Sequence, residues 1–119
     1  MSSPFSSGFF VYIAEAPSAE DLYHARYEGE YVCEIVSENG YECESRLVIN
    51  RENLERAICE VSERIETIPH CPPPIFHLST HGDCDGFELT DGTAVSWKEL
   101  GDLLSPLNQK ADGLSLIHI

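Results

Sequence analysis

Apolar residues enter this chain in short blocks divided by polar stretches. Phe9-Phe10-Val11-Tyr12-Ile13-Ala14 is an unbroken block of strand length, the pattern of a strand covered on both faces of a parallel sheet. Pro17-Ser18 ends it. Ser18 offers an N-cap for a helix whose first turn carries Glu20 and Asp21, where the dipole favours negative charge. Leu22, Ala25, Val32, Ile35 and Val36 continue at helical spacing until Asn39-Gly40 supplies the stop. Tyr41 to Ile49 predicts a second strand, placed at a sheet edge because Glu42, Glu44, Ser45 and Arg46 crowd its first half.

Asn50 can cap a second helix whose apolar stripe is Leu54, Ala57, Ile58, Val61, Ile65 and Ile68, ended by Pro69. The stiff Pro72-Pro73-Pro74 leads into a strand, Ile75-Phe76-His77-Leu78-Ser79-Thr80, followed at once by His81-Gly82. A loop, Asp83-Cys84-Asp85-Gly86, precedes a hairpin signal: Phe87 to Thr90, the Asp91-Gly92 turn, and Ala94-Val95 returning. Ser96 and Glu99 form a capping box for a short helix with Trp97, Leu100, Leu103 and Leu104, closed by Pro106. Gly113 to Ile119 reads as another core strand. Strands alternating with helices predict an α/β fold, a mostly parallel sheet with helices on both faces and a small β-hairpin. In such sheets the binding crevice lies beyond the carboxyl ends of central strands, which is where His81 falls.

Composition narrows the function classes. The chain has 119 residues, enough for one domain: residues 1–8 read as a flexible lead-in and 9–119 as the domain. Seven Lys+Arg against 21 Asp+Glu give a net charge of −14, which argues against nucleic acid and anionic membrane surfaces as partners. No apolar run approaches the roughly 20 residues of a membrane span, and no Lys or Arg precedes Phe9 as in a secretory signal, so a cytoplasmic protein is expected. Cys33, Cys43, Cys59, Cys71 and Cys84 are odd in number and contain no C-x-x-C pair, which favours reduced thiols. Cys33 and Cys59 fall near predicted apolar stripes and read as small core residues.

The segment Ile75 to Gly82, followed by Asp85-Gly86-Phe87-Glu88-Leu89-Thr90-Asp91-Gly92 and Ser96-Trp97-Lys98-Glu99-Leu100, resembles the caspase-like superfamily, most closely the CHAT domain group of cysteine peptidases. The resemblance is strongest over 75–119 and compatible in element order over 9–68. It implies a caspase-like three-layer sandwich and peptide-bond hydrolysis by a Cys/His dyad. His81 takes the catalytic histidine's place and Gly82 that of the glycine where the backbone turns away, the latter contributing with backbone amides to oxyanion stabilisation. Asp83 and Asp85 could orient the imidazole or recognise a cationic side chain of a peptide or protein substrate; equally, an Asp-rich loop is ordinary turn chemistry. No cofactor or metal is implied, and related domains often adjoin helical repeats.

The nucleophile is where the chain departs from this pattern. In caspases the histidine precedes the cysteine by about 50 residues, and no cysteine follows Cys84 here. The expectation is a partial domain that retains the histidine without the thiol and is inactive alone. Its last strand, with Leu114, Leu116, Ile117 and Ile119, would then be incompletely covered and prone to associate. Four alternatives stand beside it: a non-catalytic interaction module of the same fold, a local dyad using Cys84, a zinc site drawn from His70, Cys71, His77, His81 and Cys84, and a signalling α/β domain of the TIR kind, which Phe9 to Ser18 resembles but which leaves His81-Gly82 unexplained. His77 alternates with His81 and reads as a packed or hydrogen-bonded core histidine. The acidic surplus reads as a solvated surface that would favour basic peptides.

Overall fold

The computed structural model describes residues 9–110 and 115–118. Residues 1–8, Leu114 and Ile119, about which expectations were stated, lie outside the described residues. The elements run β1 (Phe10–Glu15), α1 (Ala19–Tyr23), α2 (Gly29–Glu38), β2 (Cys43–Leu47), α3 (Arg51–Thr67), β3 (Pro74–Ser79), β4 (Gly86–Glu88), β5 (Ala94–Ser96), α4 (Trp97–Lys110) and β6 (Ser115–His118). Four strands make a parallel sheet in the order β2-β1-β3-β6, and β4 pairs antiparallel with β5. The α/β class, the edge position of β2 and the small hairpin are as the sequence predicts. Among the described residues no helix is long and apolar enough to cross a membrane.

Strand alternation sorts the sheet into two faces. Phe10, Tyr12 and Ala14 of β1 and Phe76 and Leu78 of β3 turn toward α3 and α4, where Leu54, Ala57 and Val61 meet Leu100, Leu104 and Leu107 in one buried cluster. The Tyr12 hydroxyl donates to Glu60 Oε2 at 2.6 Å, pinning α3 to β1. Burial first, then the Glu60 carboxylate, hold this phenol well above its ordinary pKa. The other face meets α2. Gly29 packs so closely on β2 that a Cβ there would stand 2.3 Å from Ser45 Oγ. Cys33 of α2 is joined to Cys43 of β2 by a disulfide, with the Cα atoms 5.2 Å apart.

That disulfide corrects the expectation of five reduced thiols, and Cys33 is half-buried in it rather than a free core residue. Cys59, expected in the core, is exposed on α3. The helix expected from Ser18 to Asn39 is two helices. Arg26 N–H bonds the Asp21 carbonyl and Ala25 N–H that of Leu22, the paired bonds of a Schellman ending, with Ala25 at φ 54° in the left-handed position. Ile35, expected on the buried stripe, is 48% exposed. Glycine should fit that turn better than Ala25, so Ala25→Gly is expected to raise the unfolding free energy by about 1 kcal/mol in urea titration. The last helix continues through Pro106 instead of closing there, because Leu107 extends the buried stripe of Leu100 and Leu104 by another turn. The carbonyl of Asp102, whose helical donor the proline ring removes, belongs to an exposed residue that water can reach.

Candidate functional site at the carboxyl edge of the sheet

His81 lies two residues beyond the end of β3 and is exposed. Its neighbour β6 runs parallel to β3, with Leu78 opposite His118, so both strands point toward the same rim. The hairpin fixes the histidine's backbone. Glu88 N–H donates to the His81 carbonyl at 3.3 Å, Thr80 Oγ1 to the Glu88 carbonyl at 2.8 Å, and Asp83 N–H to the Gly86 carbonyl at 2.8 Å.

Gly82 faces Phe87 across this bridge as the pair whose own groups make no cross-strand bond, flanked by the bonds of His81 and Asp83. Its N–H takes no acceptor among the described residues. Gly82 makes its turn outside the left-handed region. Its surroundings are tight, since a Cβ would stand 3.0 Å from the Gly86 carbonyl oxygen and 3.3 Å from the Trp97 ring, so a larger residue would need these neighbours to give by a few tenths of an ångström.

Trp97 braces the same loop. Its indole N–H donates to the Asp83 carbonyl at 2.8 Å, and its ring packs on Phe87 with centroids 5.3 Å apart. The Asp83 carboxylate accepts from Asp85 N–H at 2.8 Å and Gly86 N–H at 3.1 Å, so it shapes its own loop. No described hydrogen bond or ion pair links Asp83 or Asp85 to the His81 ring.

Two clefts meet at His81. One, of about 480 Å³, opens toward the hairpin and includes Asp83, Asp85, Phe87, Glu88 and Ser96. The other, of about 380 Å³, lies beyond the carboxyl ends of β1 and β3, walled by Glu15, Asp21, Arg26 and Thr80. The charge is mostly negative. Arg26 pairs with Asp21 at 3.4 Å, and Arg51 with Glu99 at 2.8 Å, while Asp85 and Glu88 enter no ion pair among the described residues. The field at the rim is therefore acidic.

The sequence reading missed Glu15. It is 4% exposed, and its two carboxylate oxygens accept Glu28 N–H at 2.9 Å and Gly29 N–H at 2.8 Å. A buried carboxylate thus begins α2 and holds the 24–28 loop over the crevice. An acidic residue closing an apolar strand block was the available signal. His77 faces α2 opposite Ile13, half-buried. Burial pulls its imidazole below the ordinary value, against the charges of Glu15 and Glu28.

Among the described residues no three His, Cys, Asp or Glu side chains are placed to hold a metal, so the zinc candidates are not gathered. Cys84 is an exposed, free thiol in the loop after His81. A peptidyl chloromethyl ketone should label Cys84 no faster than the exposed Cys59, at a rate unchanged by His81→Ala; selective, His81-dependent labelling seen by peptide mass mapping would establish a local dyad. Compared with known proteins, the sequence matches no family model and no curated protein.

Proposed function

We propose that this chain carries the histidine side of a caspase-like, CHAT-type cysteine peptidase site within a three-layer sandwich. The observation that carries the reading is His81 at the carboxyl edge of β3, beside the parallel strand β6, with the hairpin clamped on its carbonyl. A thiol arriving past the end of β6 would rise on the same rim. His81 would take its proton, the thiolate would attack the peptide carbonyl, and the imidazolium would then protonate the leaving amine to leave a thioester. Water completes hydrolysis. The unclaimed N–H of Gly82 would donate to the developing oxyanion. Asp85 and Glu88 would favour a substrate with a basic side chain.

None of the five cysteines in this sequence comes from the strand beside His81, which favours a second reading for the chain by itself: a peptide-binding module that does not hydrolyse. Peptidyl-coumarin substrates separate the two. The gene's full translated polypeptide should cleave after lysine or arginine in preference to aspartate, with activity lost in His81→Ala. Absence of cleavage on a basic and acidic panel, with peptide binding retained, would support the non-catalytic reading and reject the peptidase.

A further inference from the structure

We propose that the free edge of β2, together with the glutamate row of α2, docks an extended lysine- or arginine-rich peptide segment as an added strand. The inference stands apart from the His81 site. β2 ends the sheet, and its backbone alternation is fixed by two bonds: Val11 N–H to the Glu42 carbonyl at 2.8 Å and Val48 N–H to the Glu15 carbonyl at 2.7 Å. Residues 42, 44, 46 and 48 therefore bond β1, and the N–H and C=O groups of Cys43, Ser45 and Leu47 point away from the sheet. No backbone group among the described residues outside the strand ladder pairs with them; the Ser45 carbonyl takes Arg46 Nη1 at 3.0 Å. Such an edge is a template for an incoming strand.

Beside this edge runs an open groove of about 610 Å³ between β2 and α2, whose α2 wall presents Glu30, Glu34 and Glu38. The three are one turn apart, exposed and in no ion pair among the described residues. Residues 27–45 contain no lysine or arginine, and Arg46, which also lines the groove, is paired with Glu44 and Glu60 and not with the α2 row. Like charges at this spacing repel one another, and nothing on α2 offsets them, so the row fits a cationic occupant. A second copy of this chain is disfavoured, because edge-to-edge pairing would bring one glutamate row against the other. The Cys33–Cys43 disulfide fixes the distance between the row and the edge.

The test is fluorescence anisotropy with the full chain and a labelled eight-residue peptide alternating lysine with threonine and valine. Binding is expected, weakening with salt and falling about tenfold in Glu30→Gln/Glu34→Gln/Glu38→Gln. The same peptide with every backbone amide N-methylated keeps its charge but should lose binding, because the strand bonds are gone. Equal binding of the methylated peptide, no loss in the triple variant, or dimerisation of the chain through β2 in sedimentation would overturn the proposal. Should the triple variant fail to fold by circular dichroism, salt dependence and methylation on the unaltered chain still decide.

Discussion

Glu15→Ala is expected to cost about 3 kcal/mol of unfolding free energy in urea titration, the largest effect of any single polar truncation at the crevice. Two terms set the size. Each bond from a backbone N–H to a charged acceptor contributes about 1.5–3 kcal/mol, and the carboxylate also faces the positive end of a ten-residue helix. Against these stands the cost of holding a charge at 4% exposure, which the truncation relieves. The Gly29 N–H decides the balance: it sits in a buried residue and would lose its acceptor, while the Glu28 N–H belongs to an exposed one and can be hydrated. Glu15→Gln keeps one carbonyl oxygen and should cost roughly half as much. Hydrogen exchange should show the loss first at residues 28–32. A cost below about 1 kcal/mol for the alanine variant would mean that α2 is held by its disulfide and its packing instead.

Gly86→Ala is expected to be comparably damaging, on the order of 3 kcal/mol, for a steric reason. A Cβ at this position would stand 2.1 Å from the Val95 carbonyl oxygen and 2.8 Å from Ser96 Cα, all backbone atoms with no flexible end to swing aside. The strands β4 and β5 would have to part, and with them the clamp on the His81 carbonyl. Two other glycines serve as controls. Gly92 has φ 90° and open space around its Cβ position, so alanine there should cost only about 1 kcal/mol. Gly101 has open space on exposed α4, and alanine there should add about 0.5–1 kcal/mol of stability. Equal melting temperatures for Gly86→Ala and Gly92→Ala would contradict the steric account.

The parts of the fold that could be read from the sequence are those where one local signal suffices. Asn50 caps α3 by accepting Asn53 N–H at 2.8 Å, Ser96 caps α4 by accepting Glu99 N–H at 3.1 Å, and Gly40 ends α2 at φ 88°. The division between α1 and α2 escaped because it rests on Ala25 in a conformation that alanine does not advertise, and on a carboxylate 13 residues upstream of the bond it accepts. Continuation through Pro106 escaped because the tertiary burial of Leu107 outweighs a local stop signal. The Cys33–Cys43 pair could not be chosen from spacing alone, since five cysteines allow many pairings.

The same division runs through the site. The position of His81 after a central strand follows from element order, and the structure puts it at the crevice where that order places it. Its support does not follow from local sequence, because the Glu88 bond, the Trp97 indole on the Asp83 carbonyl and the crowding at Gly82 all come from the hairpin folding back. Asp83 carried an ambiguous signal, ligand or turn residue, and the turn bonds to Asp85 and Gly86 account for its Oδ1.

The central claim is that His81 activates a sulfur nucleophile brought to the rim of the sheet beside it. Time-resolved covalent labelling of the gene's full translated polypeptide by a lysyl acyloxymethyl ketone, with and without His81→Ala, tests it most directly. The account predicts one rapidly modified cysteine other than residues 33, 43, 59, 71 and 84, with a rate that drops about 100-fold or more when the imidazole is removed. Slow, uniform modification of all thiols, or a fast thiol indifferent to His81, would contradict it.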